Sequence, residues 1–191
     1  MSAMLEAGFA DPVRDAQRCF RAVLDAMARP GRIAHVSGVT PPSPLDVATA
    51  AVALTLVDHE TKLWLDPAAG AAREWLRFHC GAPLTDDLAA RGFALALSMP
   101  DLDRLNAGTH EEPETSATLI CQVEALGAGP AWRLSGPGLR APEVLRVTGL
   151  PRDFAACWHR NHARFPRGID LILCAGGQLT ALPRTVLIEE S

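Results

Sequence analysis

Before residue 100 the hydrophobic period of this chain switches repeatedly between helical and extended, and afterwards it stays mostly extended. That order limits the folds open to it. From Asp11 the sequence reads DPVRDAQRCFRAVLDAMARPG, with Asp11 a good N-cap, Pro12 suited to the first helical position and Pro30-Gly31 a stop. Val13, Ala16, Phe20, Val23, Leu24 and Met27 recur at helical spacing and predict an amphipathic helix with these residues as its apolar stripe. A short extended piece, RIAHV, follows. Ser43 and Pro44 mark a second helix start, and residues 45 to 57 are apolar nearly all round, which predicts an interior helix.

TKLWLD then reads as a strand, AAGAAREWLRFHC as a helix closed by Gly81, and FALALS as a strand. Residues 101 to 116 are polar, with a short helix placed at DLDRLNAG. ATLICQVEAL and AWRLS read as strands separated by the turn signal GAGP, with VLRV a weaker third. Residues 152 to 163 are helical in pattern, and IDLILCA and QLTAL are joined as a hairpin by Gly176-Gly177. The expected fold is α/β, with a mixed sheet that is parallel early and antiparallel at its C-terminal edge. No repeat or low-complexity linker divides the chain, so residues 1 to 191 are expected to form one domain.

Composition excludes several classes. A chain of 191 residues that is 48% hydrophobic and 21% charged can bury a full core. A net charge of -4 argues against a nucleic-acid surface, and no apolar run is long enough to span a membrane. The opening MSAMLEAGFADP lacks the basic and apolar regions of a secretory signal, and five dispersed cysteines without a C-x-x-C pair fit free thiols in a reducing, cytoplasmic setting. Lys62 is the only lysine among eighteen basic residues. That arginine bias suits phosphate ligands, but a GC-rich coding sequence explains it more cheaply.

Nine short blocks carry a resemblance. They are DAQRCFR from Asp15, MARPG from Met27, LTLVD from Leu54, TKLWL from Thr61, LRFH from Leu76, NAGT from Asn106, ATLI from Ala117, FPRGIDLIL from Phe165 and LPRT from Leu182. In this order the chain resembles the PhnH family of the bacterial carbon–phosphorus lyase machinery. The resemblance implies a three-layer α/β fold with a mixed central sheet and helices on both faces, like an abbreviated large domain of the pyridoxal-phosphate (PLP) dependent transferases. It also implies work in phosphonate breakdown alongside the G, I and J proteins of the same pathway, in the step that joins phosphonate to the ribose of ATP with loss of adenine, giving a ribose 1-phosphonate 5-triphosphate. Arg167 departs from the family pattern, which has an apolar residue there.

Most constellations that could carry chemistry are incomplete. A PLP aldimine needs a lysine, and Lys62 stands at the mouth of a strand; an iron–sulfur (Fe-S) cluster needs closely spaced thiolates, which these are not. No cofactor is therefore expected. The P-loop pattern cannot be completed, and Gly136-Pro137-Gly138 reads as a tight turn before it reads as a phosphate cradle. Cys157, His159 and His162 share a helix without a second ligand cluster, so no metal is expected either. Ser135 lacks the upstream glycine of a nucleophile elbow.

His79, near a helix C-terminus, is a candidate acid or base, with the structural reading as a partner for free carbonyls ahead of the catalytic one. Asp15, Gln17 and Arg21 form a polar seam that either clamps an anion, docks a partner or is simply solvated. If Gly176-Gly177 is the loop, Asp170 falls opposite Pro183 and Ile169 opposite Arg184, so a local bend would bring Asp170 and Arg184 together. A carboxylate there needs a partner, and it serves as a brace or as one wall of an anion site. The leading expectation is an assembly subunit that pairs with itself in isolation. The alternative is a free-standing enzyme or binding protein in which His79, Arg77, Asp170 and Arg184 converge on a phosphorylated ligand.

Overall fold

A computed structural model describes residues 7–190, so the first half of the N-terminal stretch read for a leader lies outside the described residues. The first helix, α1 (Pro12–Ala28), starts as its sequence dictates. The Asp11 side chain accepts the Arg14 N–H, Pro12 occupies the first turn, and the helix ends before Pro30-Gly31. Its buried face, however, is Asp15, Cys19, Val23 and Ala26, while Val13, Phe20 and Leu24 lie exposed. The expected apolar stripe is therefore rotated. Close packing explains the choice: α1 lies against α2 (Val47–Leu56), whose Ala48, Ala50, Ala51 and Ala53 are fully buried, and small residues on both helices let the backbones approach. Asp15 is tolerated inside because its carboxylate accepts the Asp11 N–H and the Arg18 guanidinium.

The principal sheet has seven strands in the order β1-β9-β8-β5-β4-β2-β3, comprising β1 (Ala34–His35), β2 (Leu63–Leu65), β3 (Leu84–Thr85), β4 (Phe93–Ala96), β5 (Thr118–Gln122), β8 (Asp170–Ala175) and β9 (Gln178–Leu182). Strands β3, β2, β4, β5 and β8 run parallel, and β9 returns antiparallel to β8 with Ala175 opposite Gln178 and Leu171 opposite Leu182. The hairpin register is the expected one. Alternate strand residues feed two cores: Leu63, Leu95, Ile120 and Ile172 face α1, α2 and α3 (Arg73–Cys80), while Ala94, Leu119, Leu171 and Leu173 face the other way.

On that second face the expected helical cover is only partial. A single helix, α4 (Phe154–His162), shares it with a separate three-stranded antiparallel sheet, β10-β6-β7, made of β6 (Ala125–Ser135), β7 (Glu143–Thr148) and β10 (Leu187–Glu190). GAGP, expected to be a turn between two strands, lies inside β6 as an irregularity between Leu126 and Ala131, and its Gly127 and Gly129 adopt positive φ. The short helix expected at DLDRLNAG is one 3-10 turn, Leu102–Arg104. Gly81, with φ 66°, closes α3 as expected. Among the described residues no helix is long and apolar enough to cross a membrane.

Candidate functional site

At the amino edge of the parallel strands Asp170 opens β8, and Arg184 lies just past the end of β9. The two meet. Asp170 Oδ1 accepts the Arg184 backbone N–H at 2.8 Å and its Nε–H at 3.2 Å, and Oδ2 accepts Nη2 at 2.6 Å. The remaining guanidinium donors go to Pro113 O at 3.0 Å, Pro166 O at 3.3 Å and Ser116 Oγ at 2.6 Å. All five donors of the fork are thus spent on protein acceptors. With side chains only 14% and 20% exposed, the pair ties the 113–116 loop, the approach to β8 and the departure from β9 into one knot. From α4, Asn161 exchanges two hydrogen bonds with the Ile169 backbone at 2.8 and 3.0 Å, and His162 Nδ1 meets Arg184 O at 3.0 Å.

The opposite, carboxyl edge is where open α/β sheets ordinarily hold ligands, commonly against a helix N-terminus. Here that position is filled from within. Gln122, the last residue of β5, accepts the Asp46 N–H and the Thr49 hydroxyl on Oε1, both at 2.8 Å, and donates Nε2 to Pro44 O at 3.0 Å. Asp46 Oδ2 accepts the Gly176 N–H, while Gly176 O accepts the Ala48 N–H, both at 2.8 Å. At the start of α2 the Asp46 and Ala48 N–H groups are therefore spent on the protein. Lys62 precedes β2 and so lies at the amino edge, exposed, across the sheet from this helix end.

The other candidates are dispersed. Arg77 is exposed and faces Glu74 at 3.8 Å on its own helix, whereas the half-buried His79 packs on Trp75 and Phe78 at ring separations of 4.8 and 5.0 Å. Gln17 and Arg21 lie on the solvent side of α1. His159 is exposed, and no three His, Cys, Asp or Glu side chains are grouped to hold a metal among the described residues. Burial pushes the Cys80 and Cys121 thiols up to about 12 and the Cys174 thiol well above its ordinary value. Cys157 is half-buried, with its Sγ 3.3 Å from Arg160 Nη2.

Two of the open clefts are lined by arginine or lysine together with carboxylates. One, of about 440 Å³, is lined by Arg29, Arg32, Arg140 and Glu143, and its floor is the contact between α1 and Gly138. A Cβ on Gly138, whose φ is +86°, would lie 2.5 Å from Ala28 O, so this glycine serves close packing. The other, of about 510 Å³, lies beside the knot and mixes Lys62 and Arg91 with Glu60 and Glu114 around Ser116. Reading the sequence missed Gln122, Ser116 and Asn161. Gln122 carried a usable signal, a polar residue within an apolar strand, as did Asn161 on the same helical face as Phe154 and Trp158.

Residues 7–189 match the profile described as bacterial phosphonate metabolism protein (PhnH). The chain belongs to the PhnH family. Among its PhnH relatives is the alpha-D-ribose 1-methylphosphonate 5-triphosphate synthase subunit PhnH of Rhizobium meliloti (strain 1021), 43% identical over 98% of this chain and 97% of the relative. The HtxG protein of Stutzerimonas stutzeri, whose name also ties it to C-P lyase, is 32% identical over 91% of this chain and 85% of its own.

Proposed function

We propose that this chain is a subunit of the carbon–phosphorus lyase core complex in phosphonate catabolism. On this reading it is needed with the G, I and J proteins for ATP-dependent formation of ribose 1-phosphonate 5-triphosphate, and it does not perform that reaction alone. The observation that carries the reading is the near full-length likeness to a relative named as a synthase subunit. Two features of the fold support the non-catalytic part: the Arg184 fork has no donor left for a ligand, and the α2 N-terminus is occupied by Gln122 and Gly176.

The same geometry supports a chain without PLP or an Fe-S cluster. A PLP seat needs a lysine beside an anion-binding helix end, and here Lys62 and the α2 N-terminus stand on opposite edges of the sheet. The central sheet is read as that of an abbreviated PLP-transferase large domain whose cofactor position has been closed. We place the protein in the cytoplasm and, in isolation, as a homodimer through open sheet edges such as β3 and β7.

The test is turnover of ATP with methylphosphonate by purified components. The G, I and J proteins together with this chain should give product, while the chain alone, or the other three without it, should not. Product from the chain alone, or undiminished product in its absence, overturns the reading.

A further inference from the structure

Helix α1 buries Asp15, Cys19, Val23 and Ala26 and leaves three of its large apolar residues outside. Val13 is 67% exposed, Phe20 46% and Leu24 52%. With Gln17 they fall at positions 13, 17, 20 and 24, the spacing that keeps four side chains on one helical face. Such a stripe on a helix that is otherwise well packed marks a surface built to be covered.

The charges beside the stripe are one-sided. Arg14, Arg18 and Arg21 flank it, and every carboxylate on the helix is engaged: Asp11 with the Arg14 N–H and, at 3.6 Å, the Arg14 guanidinium, Asp15 with Arg18 from a buried position, and Asp25 with Arg29 and Arg32. Asp15 is 4% exposed and its partner Arg18 73%, so the positive member of that pair is the one solvent meets. Between residues 11 and 32 five arginines stand against three aspartates, a surplus of two positive charges on a chain whose net charge is -4.

We propose that the outer face of α1 docks a non-identical subunit, whose complementary surface is apolar at its centre and rimmed by aspartate and glutamate. Phe20 is the central anchor, because a large aromatic at the middle of an apolar patch supplies most of the energy of such contacts. Arg14 and Arg21 set orientation and association rate. A second copy of this chain is the poorer occupant, since pairing the face with itself would set two positive surfaces against each other.

This inference rests on the reading of the chain as an assembly subunit, and its test separates the two. Tagged wild-type chain, Phe20→Glu, Leu24→Gln and Arg21→Glu are each co-expressed with the G, I and J proteins, and retention of those proteins is measured beside the melting temperature of each purified variant. All three positions are exposed, so melting should hold near wild type. Phe20→Glu should weaken assembly by about tenfold or more, with Leu24→Gln a smaller loss. Arg21→Glu should weaken assembly most at low salt. Variants that hold the other subunits as firmly as wild type overturn the inference and leave the subunit reading standing. Dissociation of a homodimer by Phe20→Glu with heteromeric assembly intact assigns the face to a second copy and also overturns it. Failure of the wild-type chain to join the other subunits removes both.

Discussion

Asp170 is a carboxylate that stands at the head of a buried strand because a single arginine, two residues past the hairpin, reaches back to it. Removing one partner would strand the other among main-chain carbonyls. Asp170→Ala is accordingly expected to lose about 2 to 4 kcal/mol of stability in urea unfolding. Arg184→Ala should lose a similar amount and the double variant much less than the sum; an unchanged unfolding midpoint for Asp170→Ala sinks the brace. Asp15 predicts a pH dependence. The hydrogen bond from the Asp11 N–H, then the Arg18 side chain, holds its carboxyl below the ordinary carboxylate value. A depressed folded value means that its stabilisation is present at neutral pH and is lost as pH falls through the carboxylate range, below about pH 4. Melting of Asp15→Asn should therefore lie below wild type at pH 7 and converge with it in acid; parallel curves would contradict this. The hairpin count read from the sequence placed Asp170 near Arg184, and a brace there ties the FPRG entry to the PRT exit, as the Pro166 contact shows; Pro113 and Ser116 came from a segment about seventy residues away and were not legible there.

At the scale of elements, caps and breakers were legible because they act locally. Asp11-Pro12, Pro30-Gly31, Gly81 and Gly176-Gly177 all lie at the element ends where their chemistry places them. Faces were not, as α1 shows, since burial depends on what packs against a helix. Two glycines with positive φ measure the difference between local and tertiary demand. Gly176, at φ +55°, has no heavy atom within 4 Å of an added Cβ, so Gly176→Asn should cost under about 1 kcal/mol. Gly138 meets Ala28 O, and Gly138→Ala should cost about 2 kcal/mol or more. Denaturant midpoints of the two variants check the order; equal losses would mean that α1 and the turn after β6 separate freely.

Across the whole molecule, four buried thiols report on how cooperatively the two cores are joined. Cys19, Cys80 and Cys174 belong to the helical face of the main sheet and Cys121 to the face covered by α4 and the small sheet. Because adjacent residues of the same strands feed both cores, alkylation of all four should follow one urea transition, coincident with loss of far-ultraviolet ellipticity, while half-buried Cys157 labels in the native protein. Separate midpoints for Cys121 and Cys174 would show two units. The order of helical and extended segments, the mixed sheet and the hairpin register were all determined by the sequence itself, because periodicity and turn chemistry operate over a few neighbouring residues. Which face of α1 is buried, the second sheet completed by β10, the Pro113 and Ser116 acceptors of Arg184 and the closure of the α2 N-terminus by Gln122 were decided only in three dimensions. Each depends on groups tens of residues apart whose donors, acceptors and volumes are matched when the chain packs and not before.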